Sequence, residues 1–173
     1  MKNILTSEVR KIMFHNLRLP ICMSVAMILP AAVLAQDQTG AVIEMTGPDI
    51  SVELSADSLA AMTITEQDVR RETDDGPQDM QFRGVLLWDL LVQETTLDDD
   101  VKQSLRNTVQ VIASDGHEVA FSVGEIAPGF GNAPILLAFE KDGQPLGDGL
   151  QMVVQGDSRG ARFIKGIVKI EIK

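Results

Sequence analysis

The sequence predicts an α+β domain, mainly antiparallel β with short helices. Three observations carry this. Short alternating or apolar runs recur from residue 41 onward, each bounded by Gly, Pro, Asp or Ser. Helical spacing is confined to residues 86–91 and 96–106, with one briefer stretch near Leu59. Many short strands with so few helices fit an antiparallel layout, not a doubly wound parallel sheet.

In chain order, residues 41–46 and 51–54 read as strands across a Gly47-Pro48-Asp49 turn. Ser55 or Asp57 suits the N-cap of a brief helix through Leu59, Ala60 and Ala61. Residues 63–69 alternate imperfectly and read as extended. Asp74-Asp75-Gly76-Pro77 reads as a loop, because it joins like charges to two breakers. Met80 and Phe82 alternate into Gly84, and Leu86, Leu87, Leu90 and Leu91 then recur at helical spacing around Trp88. A second helix fits residues 96–106. Asp98 to Asp100 fill its first turn, Val101 and Leu105 form its apolar i, i+4 pair, and Lys102 and Arg106 suit its C-terminal end. Two β-rich runs within residues 109–123 flank Asp115-Gly116, the favoured pair of a two-residue type I′ hairpin. Residues 135–140 are a continuous apolar strand turning at Asp142-Gly143, and residues 152–154 a further short strand. The chain ends in alternation, with Val168, Ile170 and Ile172 on one face and Lys169, Glu171 and Lys173 on the other.

Residues 1–35 read as an export signal. Lys2, Arg10, Lys11 and Arg18 make a basic n-region, residues 21–34 are apolar or small, and Val33-Leu34-Ala35 supplies the small-x-small cleavage pattern. The apolar run falls short of the ~20 residues of a permanent membrane helix. Cys22 opens that run instead of ending it, which is the wrong place for a lipid-modified cysteine. Cleavage after Ala35 would place residues 36–173 in the periplasm as one domain, with residues 36–40 as a short lead-in. Without the four basic residues and Glu8, 11 basic and 24 acidic residues remain, a net charge of −13. Such a surface argues against nucleic acid and against an anionic membrane.

The only cysteine, Cys22, leaves with the signal, and one histidine, His117, remains. Disulfides, thiolate ligands, cysteine nucleophiles and histidine-rich metal sites are therefore removed from the menu. Asp98 to Asp100 lack the spacing and central glycine of a calcium loop. What remains is the stretch 156–166, which sets Ser158, Arg159, Arg162 and Lys165 among Gly156, Gly160 and Gly166. Arginine forks and exposed N–H groups on a glycine-bearing loop suit a phosphate or another oxyanion. The G-K-[ST] ending of a Walker loop is missing. His117, beside the hairpin turn, reads either as a ligand contact that titrates near neutral pH or as a solvated turn residue.

Four stretches resemble the oxidoreductase molybdopterin-binding domain, the sulfite-oxidase-type fold. Phe82-Arg83-Gly84-Val85-Leu86-Leu87-Trp88-Asp89-Leu90-Leu91 is similar to that family's G-V-x-L-x-x-L-L element, and Ala113-Ser114-Asp115-Gly116-His117 to its A-x-D-G-Y/H hairpin. Residues 136–146 are similar to L-L-A-x-x-x-x-G-x-P-L, and Gly160-Ala161-Arg162-Phe163-Ile164-Lys165 to G-A-R-x-V-K-W. The resemblance covers residues 80–173 in the right order. It implies molybdopterin as a cofactor, with Gly160, Arg162 and Lys165 of the tail helping to hold the pterin phosphate; together with Ser158, Arg159 and His117 from the reading of the residues themselves, these are the candidate contacts to an anion or to the pterin phosphate. The chain departs from the pattern in three ways. It lacks the molybdenum-ligating cysteine, its N-terminal part is short, and Gln151, Gln155 and Gly166 stand where the family has Arg, Pro and Trp.

Two functions follow. One is a non-catalytic binding or accessory module that recognises an anionic small molecule or a periplasmic protein partner. The other is an oxidoreductase holding a molybdenum–pterin cofactor without cysteine, through oxygen ligands such as Asp115.

Overall fold

A computed structural model describes residues 42–173; the expected signal, its cleavage site and the lead-in 36–40 lie outside the described residues. The first hairpin forms as expected. Strand β1 (Ile43–Gly47) pairs with β2 (Ile50–Leu54) across Pro48 and Asp49. Ser55 then caps α1 (Ala56–Ala60) in a reciprocal capping box with Ser58.

The loop expected at residues 74–77 shrinks to a two-residue turn. Strands β3 (Thr65–Thr73) and β4 (Gly76–Leu86) pair along their whole length. Pro77 is tolerated there because its partner Glu72 spends its own N–H on the Ser158 carbonyl, 2.9 Å away. Helix α2 (Leu87–Glu94) follows and buries Leu87, Leu90 and Leu91; Leu86 ends the strand as the helix N-cap.

The second helix is much shorter than its periodicity suggests. Only α3 (Val101–Ser104) is α-helical, and Asp100 stands outside it as the N-cap, accepting from the Gln103 N–H at 3.1 Å. Thr95 donates its hydroxyl to the Leu91 carbonyl and accepts from the Leu97 N–H, so side chains hold the preceding residues in turns.

The type I′ turn expected at Asp115-Gly116 does not form there. Strands β5 (Thr108–Ala113) and β6 (Glu118–Ser122) are in a register that pairs Ile112 with Glu118, leaving Ser114, Asp115 and Gly116 as a three-residue loop. Gly116 alone has positive φ there (84°), and its N–H donates to the Ala113 carbonyl. This is a type I turn with a glycine bulge, not type I′. The type I′ geometry falls instead at Asp142 and Gly143 (φ 50° and 74°), between β7 (Ile135–Lys141) and β8 (Gln144–Pro145). A short helix, α4 (Val123–Ile126), continues β6 with Ser122 as its cap.

Strands β9 (Gln151–Val154) and β10 (Ile167–Ile172) complete two five-stranded sheets. One has the order β2-β1-β10-β5-β6, in which β1 and β10 run parallel; in the other β3-β4-β7 is extended by β8 and β9 alongside β7. The final strand departs from strict alternation. A register shift between Ile167 and Lys169 turns Val168 outward to 41% exposure, and Ile167, Ile170 and Ile172 are the buried residues. One cluster of buried side chains draws on both sheets and on Leu59, Leu90 and Ile126 of the helices. Ile135 to Ala138 are all buried, as befits a strand covered on both faces.

Candidate functional site

The glycine- and arginine-bearing stretch forms a 3₁₀ turn, Gly160–Arg162, that packs against β9 and against Arg71 of β3. Its two arginines have different fates. Arg162 binds both carboxylate oxygens of Asp157 (2.8 and 2.6 Å) and one of Glu125 (2.8 Å), and its guanidinium lies over the Phe121 ring at 5.7 Å. Hydrogen bonding to Asp157, and then to Glu125, raises its pKa above the ordinary arginine value. Its charge is thus met by two carboxylates, and an incoming anion would have to compete with both. Arg159 is exposed and starts the 3₁₀ turn; the exposed Ser158 ties the loop to β3 through its backbone carbonyl.

His117 reaches the same turn from the β5–β6 hairpin. Its Nε2–H donates to the Ala161 carbonyl at 3.0 Å. With Asp115, Gly160, Ala161 and Lys165 it lines a shallow depression of about 380 Å³. Of the six residues expected from sequence, His117, Gly160 and Lys165 therefore come together, while Arg162 is paired with Glu125 of α4 and Asp157.

The other face of Lys165 lines a smaller notch of about 70 Å³ that the sequence did not reveal. Arg71 of β3 and Lys141 of β7 converge on it, with Met80, Phe82 and Gln151 among the lining residues. The cations are supported by aromatic rings. Arg71 lies 5.4 Å from the Phe163 ring centre and Lys141 6.0 Å from that of Phe82. The two rings meet edge to face at 6.4 Å. A ring quadrupole attracts a cation but does not neutralise it as a carboxylate does. Among the described residues, the ion pairs within 4.0 Å involve Arg70, Arg83, Arg162, Lys169 and Lys173, and none involves Arg71, Lys141 or Lys165. Gly160 makes this possible, since its lack of a Cβ lets the Arg71 guanidinium pack against the turn.

The molybdenum–pterin group implied by the resemblance does not fit these residues. Soft thiolate ligation is what the resemblance requires, and no cysteine lies among residues 42–173. Nor does any cluster of three His, Cys, Asp or Glu among the described residues offer a substitute metal site. Three cations, Arg71, Lys141 and Lys165, outnumber the one carboxylate, Asp148, in the notch lining, a balance that suits an oxyanion and not a metal ion.

The architecture is α+β with mostly antiparallel strands and short helices, and it matches the sulfite-oxidase-type molybdopterin-binding fold. A similar solved structure is the sulfane dehydrogenase SoxCD from Paracoccus pantotrophus, with a TM-score of 0.60 and 15% identity over 76% of this chain and 37% of that chain. At that identity the likeness is one of fold, and this chain spans little more than a third of that one. No protein-family model and no curated protein matches the sequence.

Proposed function

We propose that this domain is an exported, non-catalytic binding module that has kept a molybdopterin-type scaffold and takes an anionic ligand in the notch between Arg71, Lys141 and Lys165. The observation that supports this best is the convergence of three cations without carboxylate partners in a chain with 25 acidic and 15 basic residues. An acidic surface leaves few places where an anion is welcome, and this notch concentrates positive potential in one of them. The paired Arg162 has a different part, tying α4 to the loop that carries Gly160.

Inorganic phosphate at constant ionic strength tests the reading. Ligand binding to the native state raises the unfolding temperature with concentration. The wild type should respond, and the triple variant Arg71→Gln, Lys141→Gln, Lys165→Gln should not. An unaltered response in the triple variant refutes the assignment. The catalytic alternative is met by elemental analysis of protein purified from the periplasm, where near-equimolar molybdenum would overturn the binding-module reading.

A further inference from the structure

The notch is not built of cations alone. Gln151 of β9 lines it at 3% exposure, and its side-chain amide has no hydrogen-bond partner among the described residues. The sealed and unpartnered side-chain atoms of the described residues are Thr46 Oγ1 and Gln67 Oε1. Gln151 is instead a buried polar residue in the lining of the notch. Asp148, in the β8–β9 connection, also lines the notch and forms no ion pair within 4.0 Å.

An amide offers a carbonyl acceptor as well as N–H donors, and a carboxylate only accepts. Facing a fully deprotonated anion, whose oxygens also only accept, the amide carbonyl would be left unpaired and the carboxylate would repel. A site with buried acceptors rejects a ligand that lacks the matching donor. We infer that the notch takes a tetrahedral oxyanion that still carries a proton, of the hydrogenphosphate type, and discriminates against sulfate. The charge of the anion meets Arg71, Lys141 and Lys165, and its O–H donates to the Gln151 carbonyl or to Asp148. This rests on the anion-binding reading above. The notch volume of about 70 Å³ is suited to one such group, so any larger ligand must leave its remainder outside.

Calorimetric titrations with sodium phosphate, sodium sulfate and glycerol phosphate at constant ionic strength test the inference. At pH 7 phosphate should bind at least about tenfold more tightly than sulfate, the equivalent of one hydrogen bond to a charged group. Glycerol phosphate has a second pKa of about 6. It should bind weakly at pH 7 and strengthen at pH 5.5, which separates free phosphate from a phosphate ester as the natural source. Gln151→Met with Asp148→Asn should bring the phosphate-to-sulfate ratio close to one; Asp148→Asn alone, at an exposed position, should narrow it should the double variant fail to fold. Equal binding of phosphate and sulfate to the wild type, lost together in the triple cation variant, overturns this inference and leaves the binding module standing. Tight binding of glycerol phosphate at pH 7 overturns it as well. No response to any of the three anions overturns both.

Discussion

Gly160→Ala should separate ligand affinity from stability. A Cβ at this position would stand 2.8 Å from Arg71 Nη1 and 3.4 Å from Arg71 Cδ. These atoms belong to a flexible side chain, so the guanidinium moves aside at little cost. Gly160 is not among the residues with positive φ, so alanine fits its backbone. Two small effects then oppose each other. Restricting the unfolded chain gains about 0.4–1 kcal/mol, and loss of the Arg71–Phe163 cation–π contact costs about 0.5–1 kcal/mol. The net change should stay within about 0.5 kcal/mol, as for most substitutions outside the core. Binding has no such compensation. A displaced Arg71 forfeits a charge-assisted hydrogen bond of about 1.5–3 kcal/mol, a loss of about 10- to 150-fold in Kd. Urea unfolding reads the first quantity and phosphate calorimetry the second. An unchanged Kd at unchanged stability would remove Arg71 from the site. A large loss of stability would make Gly160 a packing position instead.

Gly84→Ala is the opposite case. Its Cβ would run into the backbone of Leu137 and Ala138, where no flexible atom can yield, so a loss of about 3 kcal/mol in urea unfolding is expected. Asp100→Ala removes the cap of α3 and should cost about 1 kcal/mol by the same assay. Glu171 should titrate below the usual carboxylate range, because the Lys173 ammonium hydrogen-bonds its carboxylate. A folded pKa depressed in this way contributes stability above the unfolded value and loses it as pH falls through the folded one. In carboxyl-resolved NMR, Lys173→Met should move the Glu171 midpoint upward.

The elements legible in the sequence were those set by local chemistry. The first hairpin, the Ser55 cap and the apolar β7 each follow from neighbours in the chain. Register was not legible, because Asp115-Gly116 and Asp142-Gly143 are the same dipeptide and adopt different turns. The strands flanking each pair decide whether two or three residues span the gap. Val168 misled in the same way, since a bulge can reverse a side chain without altering the pattern of residue types. The candidate site was half legible. Lys165 and Gly160 stood out in a glycine-bearing stretch, but Arg71, Lys141 and Gln151 come from three different strands, with Arg71 seventy residues before Lys141. Each looks like an ordinary strand residue until the second sheet forms. The pairing of Arg162 with Glu125, 37 residues upstream, was hidden for the same reason.

The position of β10 has a consequence for the order of events in folding. This last strand lies between β1 and β5, and Lys173 exchanges both backbone hydrogen bonds with Thr108. Two hairpins more than fifty residues apart, β1–β2 and β5–β6, therefore each wait with an open edge for residues 167–173 to join them. Such distant pairings are slow to close, because loop entropy is lost before any contact is gained. Because β10 follows all four of its sheet-mates in sequence, this sheet closes only once residues 167–172 reach the gap between β1 and β5, and its assembly is a late event in folding.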